Sequence, residues 1–325
     1  MLTFFRTNQL FLNVLLLFYL AIMRASTFIH HTGIAPLEHG LLTNWVYTAF
    51  PPLSMSGAIL AFVLVFFQAT IINLTIARFR VATEISLLPG VFYCLFTSLM
   101  PDFLPLSSIL LGNTFLILAI YNFYDTFKSN AVAGKIFDAG LWLGVASLFH
   151  FPYIFLFFWG IVALGLLRGI RFKEFFMFLI GLIVPIFLLG VYCFWSNNMT
   201  SFGEHFSKNI GLMSVIRHNS SDVYVKMGIT GLLLMLTLVA SSQFFSRRDM
   251  AAQKYIGMLY WLMLICGITT FIQPGVDLNQ LMIISVPISI LLSMTFQRIS
   301  TAMAEALHML LLMVALVLQF LYLLV

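Results

Sequence analysis

The sequence predicts an all-α fold, a polytopic bundle of about eleven membrane-crossing helices. Three observations carry the prediction. Hydrophobic residues make up 62% of the 325 positions and charged residues 8%, where soluble domains carry about a quarter charged. A chain so poor in charge has no polar surface to offer water. Its apolar residues gather into runs near the length a helix needs to cross the hydrocarbon, about 20 residues at 1.5 Å each. Its basic residues fall between those runs with a strong bias to one side.

The first run covers residues 9–28. It lacks a small-residue cleavage site and further spans follow, so it is expected to stay as a helix and not to be removed as a signal. The second, 57–77, follows Pro51-Pro52 and stops at Arg78 and Arg80. The third, 85–100, is short and ends at Pro101. The fourth, 107–126, opens on Ser107-Ser108, and the fifth, 132–149, carries Lys135 and Asp138 near its start. The sixth, 152–168, opens on Pro152, which ends any preceding helix because it lacks an amide hydrogen and clashes with the previous turn. His150-Phe151-Pro152 is therefore read as a tight turn between spans five and six. The seventh run, 174–195, follows Arg168, Arg171 and Lys173, and the eighth, 227–246, stops at Arg247-Arg248. Runs 256–272, 280–297 and 304–325 complete the count.

Charge tests this layout. With the N-terminus in the cytoplasm, Arg6, Arg78, Arg80, Lys128, Lys135, Arg168, Arg171, Lys173, Arg247, Arg248, Lys254 and Arg298 fall inside. Only Arg24, Lys208, Arg217 and Lys226 of the 16 basic residues fall outside. Dropping one span would flip every later loop and destroy the asymmetry. The layout thus puts the N-terminus in and the C-terminus out, and the chain, 1–325, reads as a single integral membrane domain. The net charge of +5 belongs to topology and not to nucleic-acid binding. Cys94, Cys193 and Cys266 lie in apolar runs without C-x-x-C spacing and read as small core residues.

Chemistry concentrates in two long outer loops, 29–56 and 196–226. Leu37, Leu41, Leu42, Trp45 and Val46 recur at near-helical spacing, as in a helix lying on the membrane surface. The first loop holds His30, His31, Glu38 and His39; the second holds Glu204, His205, Lys208, Arg217, His218 and Asp222. Asp102 and Asp277 lie in short outer loops. A carboxylate can take a proton from an attacking hydroxyl, and Lys and Arg can hold a phosphate. These are the parts for group transfer from a lipid-linked phosphate, although solvated loops of any membrane protein carry such residues too. Neither a P-loop nor a Gly-rich dinucleotide fingerprint occurs, and no G-x-S-x-G elbow occurs. Asn122-x-x-Asp125 has no second aspartate-rich partner, which argues against a magnesium-dependent prenyltransferase. No metal or other cofactor is expected. Few charges lie within the spans, which disfavours a proton-driven transporter. Asn13, Gln68, Asn73 and Asn113 suit helix-to-helix hydrogen bonds as well as a path.

The stretch Gly144, Ala146, Ser147, Leu148, Phe149, His150, Phe151 and Pro152, followed by an apolar run ending in RGIRFKEF, resembles the central hairpin of C-type membrane glycosyltransferases. Those enzymes take a sugar from a polyprenyl phosphate. Phe4-Phe5-Arg6 and residues 98–118 also resemble an uncharacterised family of polytopic inner-membrane proteins from Bacteroidota. The first resemblance implies Glu38 as the acid of the first outer loop, with His39 beside it and Asp102 as a second acid. Lys208, Arg217, His205 and His218 would then bind the phosphate of undecaprenyl phosphate. The acidic pair usual soon after the first span is replaced here by a lone Glu38, and no large outer domain follows the last run. The expectation is a bacterial inner-membrane protein that keeps the fold with catalysis lost or reduced, a subunit of an envelope assembly or export complex with other membrane subunits as partners. The alternative is an active outer-face glycosyltransferase, and a transporter comes third.

Overall fold

The computed structural model describes residues 5–6, 10–30, 40–129, 132–169, 171–208, 221–239, 249–272 and 278–324. Among them every regular element is an α-helix or a 3₁₀ turn, with no strand. The helices are α1 (Leu10–Met23), α2 (Ala25–His30), α3 (Leu41–Ala49), α4 (Met55–Arg78), α5 (Leu88–Phe96), α6 (Ser108–Asp125) and α7 (Ala133–Phe149). They continue with α8 (Leu156–Arg168), α9 (Phe172–Trp195), α10 (Met199–Lys208), α11 (Ser221–Val239), α12 (Met250–Thr269), α13 (Ser285–Arg298) and α14 (Thr301–Leu324). Three 3₁₀ turns, Pro101–Phe103, Phe151–Phe155 and Leu278–Ile284, interrupt them.

Six helical segments among the described residues are long and apolar enough to cross a membrane: Met55–Arg78, Phe151–Arg168, Phe172–Trp195, Met250–Thr269, Leu278–Arg298 and Thr301–Phe320. The His150-Phe151-Pro152 turn forms as expected. His150 is extended (φ −142°, ψ 109°) and ends α7, and the 3₁₀ turn at Phe151–Phe155 leads into α8.

Apolar area buried against neighbouring helices gains little over lipid, so close packing and hydrogen bonds must hold such helices together. Both are visible. A Cβ on Gly140 would sit 2.2 Å from the Phe178 carbonyl oxygen, and one on Gly181 2.2 Å from that of Phe137. Backbones of α7 and α9 therefore touch, which only glycine permits. Polar residues of α4 join it to its neighbours. Gln68 donates to the Leu110 carbonyl and to Thr114 (both 2.7 Å) and accepts from the Tyr93 hydroxyl (2.6 Å). Asn73 accepts from the Gly90 amide at 2.7 Å. Asn113 of α6 donates to the Met282 carbonyl and to Ser285. These asparagines and the glutamine act as helix-to-helix bonds. All three cysteines are free and buried, as expected of core residues.

The centre of the bundle is unusual. Helix α5 is nine residues long, about 13 Å at 1.5 Å per residue, under half of the hydrocarbon thickness. The apolar run 85–100 thus yields a helix shorter than the run. All nine residues are buried, against α4, α13 and α1. One end is tied down by the Leu87 amide donating to the Phe5 carbonyl (2.9 Å) and by Gln297 donating to Ser86 (2.8 Å). Beyond the other end the chain continues as irregular backbone to residue 107. Non-helical backbone at membrane depth is tolerated only where protein covers it and supplies its partners. Here Arg24 supplies them.

The ion pairs sort to two ends of the bundle. At one end Asp125 meets Lys135 (2.8 Å) and Arg78 (3.6 Å), Arg168 meets Glu174 (3.2 Å), and Lys254 donates to the Leu167 carbonyl. The other end holds Arg24, Asp102, Lys226, His150 and His205, and it contains the candidate site.

Candidate functional site

Asp102 sits in the 3₁₀ turn after α5, which Pro101 starts. Its carboxylate lies 2.8 Å from the Lys226 ammonium on α11, with side chains 6% and 3% exposed. An isolated charge at that depth would cost several kcal/mol, and the partner offsets it. Expected as a residue of a short loop in water, Asp102 is instead buried.

Arg24 lies between α1 and α2 and is 1% exposed. Its guanidinium donates to the carbonyls of Leu104 (2.9 Å), Thr97 (3.0 Å) and Phe103 (3.3 Å), and to the Ser98 hydroxyl (3.3 Å). These carbonyls belong to the irregular segment that carries Asp102. A cation at the C-terminus of α5 also meets the negative end of the helix dipole. Gln319 of α14 donates to the Ser98 carbonyl and accepts from Ser26 (2.8 Å). The turn at 97–104 is thus held from α1, α2 and α14.

His205 lies on α10, the short helix after α9. It is 5% exposed, and its Nε2 donates to the Ser147 carbonyl near the end of α7 (3.1 Å). Burial holds the imidazole below its ordinary value, and the Ser147 carbonyl pulls it partway back. A neutral His205 pinned to a carbonyl has no positive charge to offer a phosphate. Beneath it, His150 Nδ1 is 3.4 Å from the Ser108 hydroxyl, and Tyr153 donates to Asn113 Oδ1 (2.8 Å). On the flank of this end, Thr43 of α3 donates to the Phe149 carbonyl (2.8 Å) and Tyr47 to that of Leu106 (3.2 Å). Between α3, α4 and Phe149 an apolar groove of about 420 Å³ is lined by Leu42, Trp45, Val46, Phe50, Leu64 and Leu111.

Of the residues expected at a site, Asp102 and His205 are described at this end. Glu38, His39, Arg217 and His218 lie outside the described residues, as do His31 and Asp277. Lys208 ends α10 and His30 ends α2, but their side chains are not among those described. Glu204 is exposed on α10. Among the described residues, no group of three or more His, Cys, Asp or Glu is placed to hold a metal ion. Sequence reasoning missed Arg24 and Lys226 as site residues because it counted both only as basic residues on the outer side, exceptions to the charge bias. The available signal was a basic residue inside an apolar run, Arg24 in 9–28, and one directly before a run, Lys226 before 227–246. The chain matches no protein-family model, and no curated protein or solved structure matches it significantly.

Proposed function

We propose that this is a multi-pass protein of a bacterial inner membrane that acts as a non-catalytic subunit of an envelope assembly or protein export complex. In this reading residues 1–325 form one integral membrane domain with a C-type glycosyltransferase-like fold and about eleven crossings. The N-terminus lies in the cytoplasm, and loops 29–56 and 196–226 cover the outer end. Two exceptions to the charge bias, Arg24 and Lys226, are buried and not in aqueous loops, which supports the orientation.

One observation carries the non-catalytic reading. Asp102, the described acid of the expected pair, is sealed against Lys226. A carboxylate held in a buried ion pair has spent its charge on structure and is poorly placed to accept a substrate's proton. The apolar groove between α3, α4 and Phe149 favours a second reading. It suits the isoprenoid chain of an undecaprenyl-phosphate donor, with Glu38 as the general base of an active glycosyltransferase.

Glu38→Gln separates the two. Loss of a general base slows a reaction by about 10²–10⁴-fold. The non-catalytic reading expects the variant to complement a deletion strain as well as the wild type does, at equal protein level. Failure to complement at normal abundance would favour the enzyme and overturn the scaffold.

A further inference from the structure

The opposite end of the bundle carries a second cavity, of about 620 Å³, between the starts of α7 and α9. Lys135, Arg168, Arg171 and Lys173 line it, with the carboxylates of Asp138 and Glu174. The four cations are not equivalent. Lys135 is engaged by Asp125 (2.8 Å) and by Ser129 (3.2 Å). Arg168 is fixed by Glu174 (3.2 Å) and by the carbonyls of Thr126 and Ser129 (both 3.0 Å). These two build the wall. Arg171 reaches only to 4.0 Å from Glu174 and keeps 69% of its side chain exposed. Lys173 is exposed as well. Gly169, at φ +78°, takes a conformation that a Cβ disfavours and turns the chain so that Arg168 and Arg171 serve one cavity.

Beside the cavity rim an apolar stripe begins. Phe172, Phe176, Ile180 and Ile183 run down α9 at helical spacing, 85%, 54%, 53% and 48% exposed. An anion bound by Arg171 and Lys173 would therefore stand at the head of a lipid-facing track. Basic pockets between membrane helices on the cytoplasmic side suit anionic headgroups.

We infer that this cavity is a binding site for an anionic glycerophospholipid, its phosphodiester held by Arg171 and Lys173 and its acyl chains lying along the Phe172–Ile183 face. The inference goes beyond the reading of the outer end and rests on the proposed orientation, which sets this end of the bundle on the cytoplasmic side. The phosphate chemistry alone would also admit free phosphate, and the test distinguishes the sources.

The intact protein, purified in detergent, is titrated with dioctanoyl phosphatidylglycerol, with dioctanoyl phosphatidylcholine and with inorganic phosphate, bound lipid being counted by native mass spectrometry. The expected result is saturable phosphatidylglycerol binding, at least tenfold weaker phosphatidylcholine binding, and no displacement by inorganic phosphate at equal concentration. Each cation facing an anionic headgroup contributes about fivefold to affinity, so Arg171→Gln with Lys173→Gln should weaken phosphatidylglycerol binding about 30-fold. Arg80→Gln with Lys128→Gln removes the same charge from residues outside the cavity and should change it less than threefold. Equal losses in the two double variants, or none in the first, would overturn the site. Displacement by inorganic phosphate at equal concentration would overturn the lipid assignment.

Discussion

Replacing Asp102 with Leu removes the carboxylate from beside the buried Lys226 ammonium, and replacing Lys226 with Met removes the ammonium from beside the buried carboxylate. At 2.8 Å the pair attracts with about 6 kcal/mol for an effective dielectric of about 20. Taking both charges out of water cancels most of that, so the pair's net contribution is small. Breaking it from one side is another matter and costs about 3–5 kcal/mol. Replacing both residues together with apolar side chains removes the stranded charge and should restore most of the loss. The protein provides its own reporter, since Cys94, Cys193 and Cys266 are free and buried. A thiol-reactive fluorophore will label them only as the bundle opens. At roughly 2 °C per kcal/mol for a chain of this size, each single variant should melt roughly 6–10 °C below the wild type. Asp102→Leu with Lys226→Met should recover to within a few degrees. If the single variants melt with the wild type, or if the double variant loses the sum of the two, the residues are not coupled. Asp102 would then be free of its structural commitment, and the non-catalytic reading would lose its support.

Three further outcomes are expected. Gly181→Leu places side-chain atoms where the Phe137 carbonyl oxygen stands 2.2 Å from the point a Cβ would occupy; it should destabilise the bundle by about 1–3 kcal/mol or more in the same thiol assay, and an unshifted melt would contradict the backbone contact. Cysteine introduced at Ser129 should resist a membrane-impermeant thiol reagent in intact cells while cysteine at Ser220 reacts, and the reverse pattern would end the proposed orientation. His205 is held below its ordinary 6.5, so the unfolded chain binds its proton first. The stability this gives is full above about pH 6.5 and is lost as pH falls toward the lowered folded value. Melts between pH 5 and 8 should show a decline on the acid side that His205→Gln flattens, and an identical decline in that variant would assign it elsewhere.

Much of the architecture can be read from apolar run length. The runs at 57–77, 107–126 and 174–195 correspond to α4, α6 and α9 within two residues at either end. The run at 256–272 begins six residues late, because Met250–Tyr255 carries Gln253 and Lys254 and looks like loop, although such residues form helix readily. The run at 85–100 misleads in the other direction. Hydropathy is continuous there, but Pro89 sits at the start of α5, and after residue 96 the chain turns toward Pro101. Hydropathy reports what lies in apolar surroundings and not whether it is helical. The ion pair was hidden for another reason. Asp102 and Lys226 meet because α11 packs beside the 278–284 turn, which in turn packs on 101–103, and no local pattern encodes such a chain of contacts.

The half-length helix α5 also constrains how the protein is made. Leu88–Phe96 is sheathed by α4, synthesised before it, and by α13, synthesised nearly two hundred residues later. Until α13 arrives, a segment too short to cross alone, with its irregular extension held mainly by Arg24, has lipid or the insertion machinery as its neighbour. Membrane integration of the N-terminal third is therefore expected to stay provisional until translation has passed Arg298. A nascent chain arrested before Ser285 should be an early substrate for membrane proteases. Docking of α13 on α5, and not entry into the bilayer, becomes the commitment step in its biogenesis.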